Sequence, residues 1–126
     1  MALHESAEMY LETIYVLSQR NTNVRSIDIA EHMSYSKPSI SRAVGLLKQG
    51  GYVVVDPDGF ITLTDEGLAV AKKIFERHTV VSQLLIRLGV SEQTAAEDAC
   101  KIEHDLSDET FALLKAHFKK LAEEQK

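Results

Sequence analysis

Apolar residues recur every three or four positions along most of the chain, which is the spacing of amphipathic helices. The first such stretch covers residues 5–20, and the polar run Asn21-Thr22-Asn23 is predicted to end it. A short helix is predicted over residues 27–33, with Ser26 as its N-cap. The apolar face of this short helix is expected to consist of Ile27, Ala30 and Met33.

A third helix is predicted after a turn at Ser34-Tyr35. Ser36 is a suitable N-cap, and Pro38 is tolerated in the first turn because its missing N–H has no helical partner there. Gly50 is expected to stop this helix after about Gln49. Its inward-facing positions are predicted to be Ile40, Val44 and Leu47.

Two runs of β-favouring residues follow, at 52–55 and 60–63, with the turn residues Asp56-Pro57-Asp58-Gly59 between them. This pattern predicts a β-hairpin. The order helix, short helix, tight turn, helix and hairpin is that of a winged helix-turn-helix, in which the hairpin is the wing.

The rest of the chain is predicted to be helical. Thr64 is expected to cap a long helix to about Leu88, Ser91 caps another to about Leu106, and the last helix starts at Ser107. One stripe of the long helix is expected to contain Ile74, His78, Val81, Leu85 and Leu88. The predicted fold class is therefore mainly α: a winged helix-turn-helix with a two-stranded wing, joined by a long helix to an all-α domain.

Composition is that of an ordinary globular protein, with 44% hydrophobic and 26% charged residues in a chain of 126. No apolar run approaches the roughly 20 residues of a membrane span, and the first ten residues lack the pattern of a secretion signal. The single cysteine, Cys100, excludes an intramolecular disulfide. Together these features predict a cytoplasmic protein.

Charge is distributed unevenly along the chain. The net charge is −5, but residues 20–50 hold five basic and two acidic groups, a net of +3, which leaves −8 on the remainder. A basic island in an acidic protein suggests one surface that meets a polyanion. Chance clustering of surface charges is the alternative.

The basic island includes the third helix, whose first turns could enter the major groove of DNA. Arg42 could contact guanine bidentately, and small hydroxyl groups could bond phosphates or base edges. The acidic wing tip, residues 56–59, is not expected to grip the DNA backbone. The alternative is an ordinary amphipathic helix in a small bundle. The candidate DNA-binding residues are Ser36, Lys37, Pro38, Ser39, Ser41 and Arg42.

Candidate metal ligands are spaced for one helix face. Cys100, Glu103 and His104 stand at i, i+3 and i+4, so sulfur, carboxylate and imidazole could converge on one cation. A half-buried cysteine beside a surface Glu-His pair is the alternative.

Two further elements carry residues that could complete such a site. His78 interrupts an aliphatic stripe, where a polar ring needs a partner. Met9 and Glu12 stand at i and i+3 on the first helix. The alternatives are a core histidine bonded to a carbonyl or carboxylate, and a methionine that only packs.

These motifs, taken together, resemble the diphtheria-toxin-repressor family of metal-dependent regulators, of which the manganese transport regulators are the two-domain branch. The resemblance covers nearly the whole chain, and longer members continue into an SH3-like third domain. The segments that carry it are EMYLETIY (Glu8–Tyr15), IDIAEHMSYSKPSISRAVGLLKQGGYV, TDEG, ERH (Glu76–His78) and EDACKIEHDLSDE (Glu97–Glu109).

The resemblance implies a non-enzymatic transcriptional repressor of metal uptake. Residues 1–72 would form the DNA-binding domain and residues 73–126 the helical metal-binding and dimerisation domain. A homodimer would bind a palindromic operator when loaded with Fe²⁺ or Mn²⁺, for which Co²⁺ or Zn²⁺ could substitute. The metal would bridge the N-terminal helix to the dimerisation domain and so set the spacing of the two recognition helices.

The family's ligands match this chain as a hybrid of two branches. The iron-responsive branch's primary site matches Met9, Cys100, Glu103 and His104, whereas ligand positions of the manganese branch match Glu12 and His78. Two ligands of the iron branch's second site are replaced, by Ser82 and Ala96, so that site is not intact. We therefore expect one metal on the first set, or a pair bridged by Glu103 with Glu12 and His78 completing the second position.

Two other functional classes stay open at this point. One is a winged-helix regulator gated by an organic ligand or by oxidation of Cys100, and the other is a small metalloenzyme with Glu103 as general base. The apolar residues available for a dimer interface, or for packing inside the monomer, are Leu84, Leu85 and Leu88, or Phe111, Leu114 and Phe118.

Overall fold

The computed structural model describes residues 5–20 and 23–124, and these residues are mainly helical. They form six α-helices and one two-stranded antiparallel sheet, as the fold class predicted from the sequence requires. No described helix is long and apolar enough to cross a membrane. The elements are α1 (Glu5–Arg20), α2 (Ser26–Met33), α3 (Lys37–Gln49), β1 (Val53–Val55), β2 (Ile61–Leu63), α4 (Asp65–Arg87), α5 (Glu92–Ile102) and α6 (Asp108–Glu124).

The chain divides into two compact units, Met1–Lys73 and Ile74–Lys126. Helix α4 supplies its first turns to the first unit and the remainder to the second. The predicted helix stop at Asn21-Thr22 and the N-terminal residues 1–4 lie outside the described residues.

The core of the first unit is formed by α1, α2, α3 and the hairpin. As predicted, Ile40, Val44 and Leu47 are the buried positions of α3. Other members of this core are Leu11, Ile14, Val24, Ile29, Ala30, Val53, Ile61 and Ala71.

Two details of α2 were predicted wrongly. Arg25, not Ser26, is the N-cap, because its backbone is extended and its N–H donates to the Asp28 carboxylate at 2.8 Å. Ile27 is 40% exposed, whereas Ile29 is fully buried. At 3.6 residues per turn, residues 29, 30 and 33 lie within about a 100° arc, and residue 27 falls beyond its edge.

The turn between α2 and α3 has the predicted chemistry. Ser34 adopts the left-handed conformation, with φ 58°, and ends α2. Ser36 caps α3, since its hydroxyl oxygen accepts the Ser39 N–H at 3.3 Å. This geometry places the N-terminus of α3 at the surface.

The wing is a short hairpin with Val54 paired to Thr62. Its turn is closed by Asp56, whose carboxylate accepts the N–H groups of Asp58 and Phe60, each at 2.9 Å. Gly59 has φ 85°, which only glycine adopts without strain.

The wing joins α4 through Thr64. Its hydroxyl donates to the Gly51 carbonyl at 2.7 Å and accepts the Gly67 N–H at 3.1 Å. A Cβ at Gly67 would lie 2.0 Å from the Tyr52 carbonyl oxygen, so only glycine fits there.

The second unit consists of the rest of α4 with α5 and α6. Ser91 caps α5, and Ser107 caps α6 by accepting the Thr110 N–H at 3.1 Å. Helix α5 ends at Ile102, four residues earlier than the predicted Leu106. Residues 103–107 form a connecting segment, in which Glu103 is the C-cap and keeps right-handed helical dihedrals.

Candidate metal centre and DNA-facing surface

The second unit contains a cluster of four side chains of the types that ligate metals, called here the donor cluster: His78, Cys100, Glu103 and His104. Helix α4 supplies His78, and the last turn of α5 supplies Cys100. The other two come from the segment that follows α5. Ligand atoms of the first three members all lie within 4.8 Å of one another.

Glu103 lies at the centre of the donor cluster, with its side chain only 1% exposed. One carboxylate oxygen, Oε2, is 2.9 Å from His78 Nδ1. The other, Oε1, is 3.3 Å from His104 Nε2, whose side chain is also 1% exposed. Cys100 Sγ lies 3.8 Å from His78 Nδ1 and is open to solvent.

These residues fit a bound divalent transition metal. Glu103 Oε1 is buried, yet it accepts no hydrogen bond from the part of the chain that the structure describes. A buried carboxylate oxygen without such a bond carries an unfavourable desolvation cost that a cation would remove. Imidazole, thiolate and carboxylate together form a mixed donor set typical of first-row transition metals.

The interruption of the aliphatic stripe at residue 78 is explained by this geometry, because His78 faces the Glu103 carboxylate. Ser82, one turn later on α4, donates its hydroxyl to the carbonyl oxygens of His78 at 2.7 Å and Thr79 at 3.2 Å. Because its hydroxyl is bonded within its own helix, Ser82 is not available to act as a metal ligand in place of the carboxylate that the iron branch has at this position.

Met9 and Glu12 belong to α1 in the first unit, where both side chains are half-buried. They lie three residues apart and therefore share one face of α1. Their participation in a metal site stays a prediction from the sequence.

Residue Arg77, next to His78, was not singled out by the sequence analysis, although it is only 4% exposed. Its Nη1 donates to the carbonyl oxygens of Glu103 and Leu106. These bonds pair two main-chain carbonyls that follow the end of α5. The only sequence signal for a role of Arg77 was its position directly before His78, a candidate metal ligand.

All six candidate DNA-binding residues are exposed on the first unit, in or directly before the first two turns of α3. Ser36 is engaged as the cap, and its hydroxyl donates to Ser39 Oγ at 2.8 Å. Because its first residues are open to solvent, α3 can present backbone N–H groups and side chains to a polyanion.

Apolar residues that the sequence analysis did not single out flank this surface. Leu46 is 62% exposed on α3, and Tyr35 is 47% exposed before it. Tyr10 of α1 packs edge-on against Tyr35, with ring centroids 6.2 Å apart. Burial, and to a lesser degree the neighbouring Tyr35, raises the pKa of Tyr10. The sequence did contain a signal for the exposure of Leu46, because this leucine does not follow the spacing of the buried residues Ile40, Val44 and Leu47.

The wing differs from a simple basic clamp. The carboxylate of Asp56 is used inside its own turn. Arg25, one of the five basic groups of the island, places its guanidinium 4.4 Å from the centre of the Phe60 ring. The basic island is therefore divided among three elements: Arg20 at the end of α1, Arg25 stacked on the wing, and the basic residues Lys37, Arg42 and Lys48 of α3.

An open apolar groove of about 830 Å³ crosses the second unit. Leu84, Leu85, Leu88 and Leu114, proposed from the sequence as interface residues, all line it, and Leu88 is 81% exposed. Phe111 is buried and packs under Arg77 instead.

Two family models match the chain, one for each half. Residues 2–60 match the N-terminal DNA-binding domain of iron-dependent repressors. Residues 64–125 match the metal-binding and dimerisation domain of iron-dependent repressors.

Individual relatives agree with the family models. An uncharacterised HTH-type transcriptional regulator of Methanocaldococcus jannaschii is 36% identical over 120 residues, covering 94% of this chain and 96% of that protein. The diphtheria toxin repressor of Corynebacterium efficiens is 34% identical over 108 residues, covering 85% of this chain and 47% of the repressor. The solved structure of the manganese regulator SloR matches with a TM-score of 0.80 and 29% identity, covering 94% of this chain and 55% of SloR. The chain thus spans about half the length of the latter two.

Proposed function

The chain belongs to the iron-dependent repressor family of metal-dependent transcriptional repressors, and from this premise we propose that a divalent metal on the donor cluster activates it for operator binding. Residues 1–72 would bind DNA, and residues 73–126 would bind metal and dimerise. The comparisons lend no support to gating by an organic ligand or by oxidation of Cys100.

The central observation is the buried Glu103 carboxylate between two histidines. Its Oε2 lies 2.9 Å from His78 Nδ1, while Oε1 accepts no hydrogen bond within residues 5–20 and 23–124. Before loading, the cluster therefore holds an incompletely compensated negative charge. That arrangement favours cation binding over a purely structural role.

The donor types favour Fe²⁺ or Mn²⁺ as the activating metal. Sulfur donors suit Fe²⁺, Co²⁺ or Zn²⁺, whereas carboxylates suit Mn²⁺, so Co²⁺ and Zn²⁺ could also bind. SloR, described as a manganese regulator, supports a manganese response. The donor cluster offers four ligands, and the family resemblance adds Met9 and Glu12. These six residues could hold one or two metal ions per subunit.

A bound metal would supply positive charge beside the Glu103 carboxylate. The residues that would hold it come from different elements, His78 from α4, Cys100 from α5 and Glu103 from the connecting segment, so loading would restrain these three elements together. A metal that binds the DNA-competent arrangement 100-fold more tightly shifts the equilibrium by about 2.7 kcal/mol.

DNA recognition is assigned to the exposed N-terminal half of α3. Arg42 would read guanine in the major groove, and Lys37 with the helix N-terminus would bind phosphate. Leu46 offers an apolar contact of the kind that thymine methyl groups make.

A homodimer is proposed because the matched domain includes dimerisation and the second unit exposes an apolar groove. Soluble monomers rarely leave large apolar patches uncovered. Two-fold symmetry of such a dimer would require a palindromic operator.

The proposal is tested by selecting DNA from a random pool with the full-length protein and Mn²⁺, and then measuring binding with Mn²⁺, Fe²⁺, Co²⁺, Zn²⁺ or chelator. We expect a palindromic consensus and binding that chelator abolishes. Glu103→Gln should lose the metal response, whereas Glu92→Gln, on the exposed face of α5, should keep it. Selected DNA that binds equally well in chelator would contradict the proposal.

A further inference from the structure

Arg77 makes contacts that link α4 to the segment carrying two members of the donor cluster. Its Nη1 donates to the Glu103 carbonyl at 3.2 Å and to the Leu106 carbonyl at 2.5 Å. Its Nη2 donates to the Asp108 carboxylate at 2.6 Å. The guanidinium carbon also lies 5.3 Å from the centre of the Phe111 ring. All four partners follow α5 in sequence.

The segment that these contacts hold has little regular structure of its own. Residues 103–107 lie between α5 and α6, and within the described part of the chain their backbone N–H groups bond only back into α5, from Glu103 to Ala99 and from Asp105 to Ile102. The carbonyls of Glu103 and Leu106 receive their hydrogen bonds from the Arg77 side chain instead. The position of this segment therefore depends on α4.

Arg77 and His78 are consecutive residues of one helix. The His78 ring meets the Glu103 carboxylate, while the Arg77 guanidinium binds the Glu103 main chain. Glu103 is thus held at both its side chain and its backbone by neighbouring residues of α4. Such a double hold leaves the carboxylate little freedom to move relative to the imidazole.

We propose that Arg77 is a positioning residue for the donor cluster, fixing Glu103 and His104 opposite His78 before metal arrives. This inference rests on the proposed function, since it presumes that the cluster binds metal. Partners outside the ligand shell that orient ligands commonly change metal affinity by about 10- to 100-fold when removed.

The role requires arginine rather than any cation. A guanidinium presents several N–H groups in a rigid planar fork, so it can donate to two carbonyls and a carboxylate at once. A lysine ammonium is a point charge on a flexible stem and would hold fewer of these partners. Arg77→Lys should therefore recover only part of the affinity.

The experiment compares full-length wild type, Arg77→Met, Arg77→Lys and Lys72→Met in chelator competition with Mn²⁺ and Co²⁺. Lys72 is the control because it is also a basic residue of α4 and is exposed. We expect Arg77→Met to bind about 10- to 100-fold more weakly, Arg77→Lys to be intermediate, and Lys72→Met to match wild type. The visible spectrum of bound Co²⁺ should change in both Arg77 variants, because it reports ligand geometry.

A purely structural role would lower the melting temperature of the metal-free protein while leaving affinity and the Co²⁺ spectrum of the folded protein unchanged. That result in Arg77→Met would overturn the inference, and if Arg77→Met does not fold, the same result in Arg77→Lys would overturn it. If wild type itself binds neither metal, the proposed function fails and this inference fails with it. Wild-type binding with unaffected Arg77 variants would refute the inference alone.

Discussion

Substituting Glu103 by glutamine should remove the metal response while leaving the metal-free fold intact. The substitution keeps the size of the side chain and removes its charge at a site that is 1% exposed. An amide can still bond the His78 ring, whose Nδ1 lies 2.9 Å from the carboxylate. Because a buried, incompletely paired charge is costly, the neutral variant loses little stability without metal.

The expected size of the metal effect follows from linkage. Metal at 100 times its Kd stabilises the wild-type protein by about 2.7 kcal/mol, because only the folded state holds the donors together. For a protein of 126 residues, 1 kcal/mol shifts the melting temperature by about 3 to 6 °C. Wild type should therefore melt roughly 8 to 16 °C higher with metal than without it.

The assay is calorimetric or circular-dichroism melting of wild type, Glu103→Gln and Glu92→Gln, each with chelator and with saturating Mn²⁺. Glu103→Gln should lose nearly all of the metal-induced shift, and its melting temperature in chelator should stay within about 3 °C of wild type, an effect below about 1 kcal/mol. Glu92→Gln should behave as wild type. An undiminished shift in Glu103→Gln would refute the assignment of this carboxylate as a ligand.

Four further substitutions test the fold, the DNA surface and the dimer. Gly67→Ala should lower the free energy of unfolding by about 1–3 kcal/mol, because the added methyl group overpacks against the Tyr52 carbonyl. Gly45→Ala should raise the free energy of unfolding by about 0.5–1 kcal/mol, because this position is inside α3 and has open space around it. Similar denaturation midpoints for the two variants would contradict this reasoning. Arg42→Ala should weaken operator binding by about 1–3 kcal/mol and relax the preference at one base pair in a titration against variant operators. Leu88→Asp should turn the dimer into a monomer in sedimentation experiments, and an unchanged sedimentation coefficient would exclude Leu88 from the interface.

Local signals explain what the sequence could predict about the fold. The caps Ser36, Thr64 and Ser91 each accept a backbone N–H, as their positions before helical patterns indicated. The hairpin and its turn depend on residues within a short window, and they were also predicted correctly. The spacing of Ile40 and Val44 in α3 was enough to identify the buried face.

Apart from the N-cap of α2, which a local bond between Arg25 and Asp28 decides, the errors occur where distant residues decide the structure. Helix α5 stops at Ile102, and Arg77, from another helix, binds the carbonyls of Glu103 and Leu106 that follow. In α2, both Ile27 and Ile29 are apolar, and only packing against the other helices selects Ile29 for the core. Patterns along one segment contain no information about such partners.

The candidate metal site shows the same division. Spacing predicted that Cys100, Glu103 and His104 would share one helix face, and the three side chains do cluster although the last two follow the end of α5. His78 was recognised as a polar residue that needed a partner. The family resemblance grouped His78 with Glu103, and the three-dimensional structure adds the direct contact between the His78 ring and the buried Glu103 carboxylate. Arg77 left no periodic signal, because its role depends on main-chain carbonyls some 26 to 29 residues away.

The most direct test of metal-activated DNA binding is the affinity of the wild-type protein for its selected operator with Mn²⁺ and with chelator, measured by fluorescence anisotropy at one fixed salt concentration. Ionic strength must match, because nucleic-acid affinity depends steeply on salt. The account predicts that metal tightens binding by about 100-fold, equivalent to about 2.7 kcal/mol of coupling. Equal Kd values in the two conditions would contradict it.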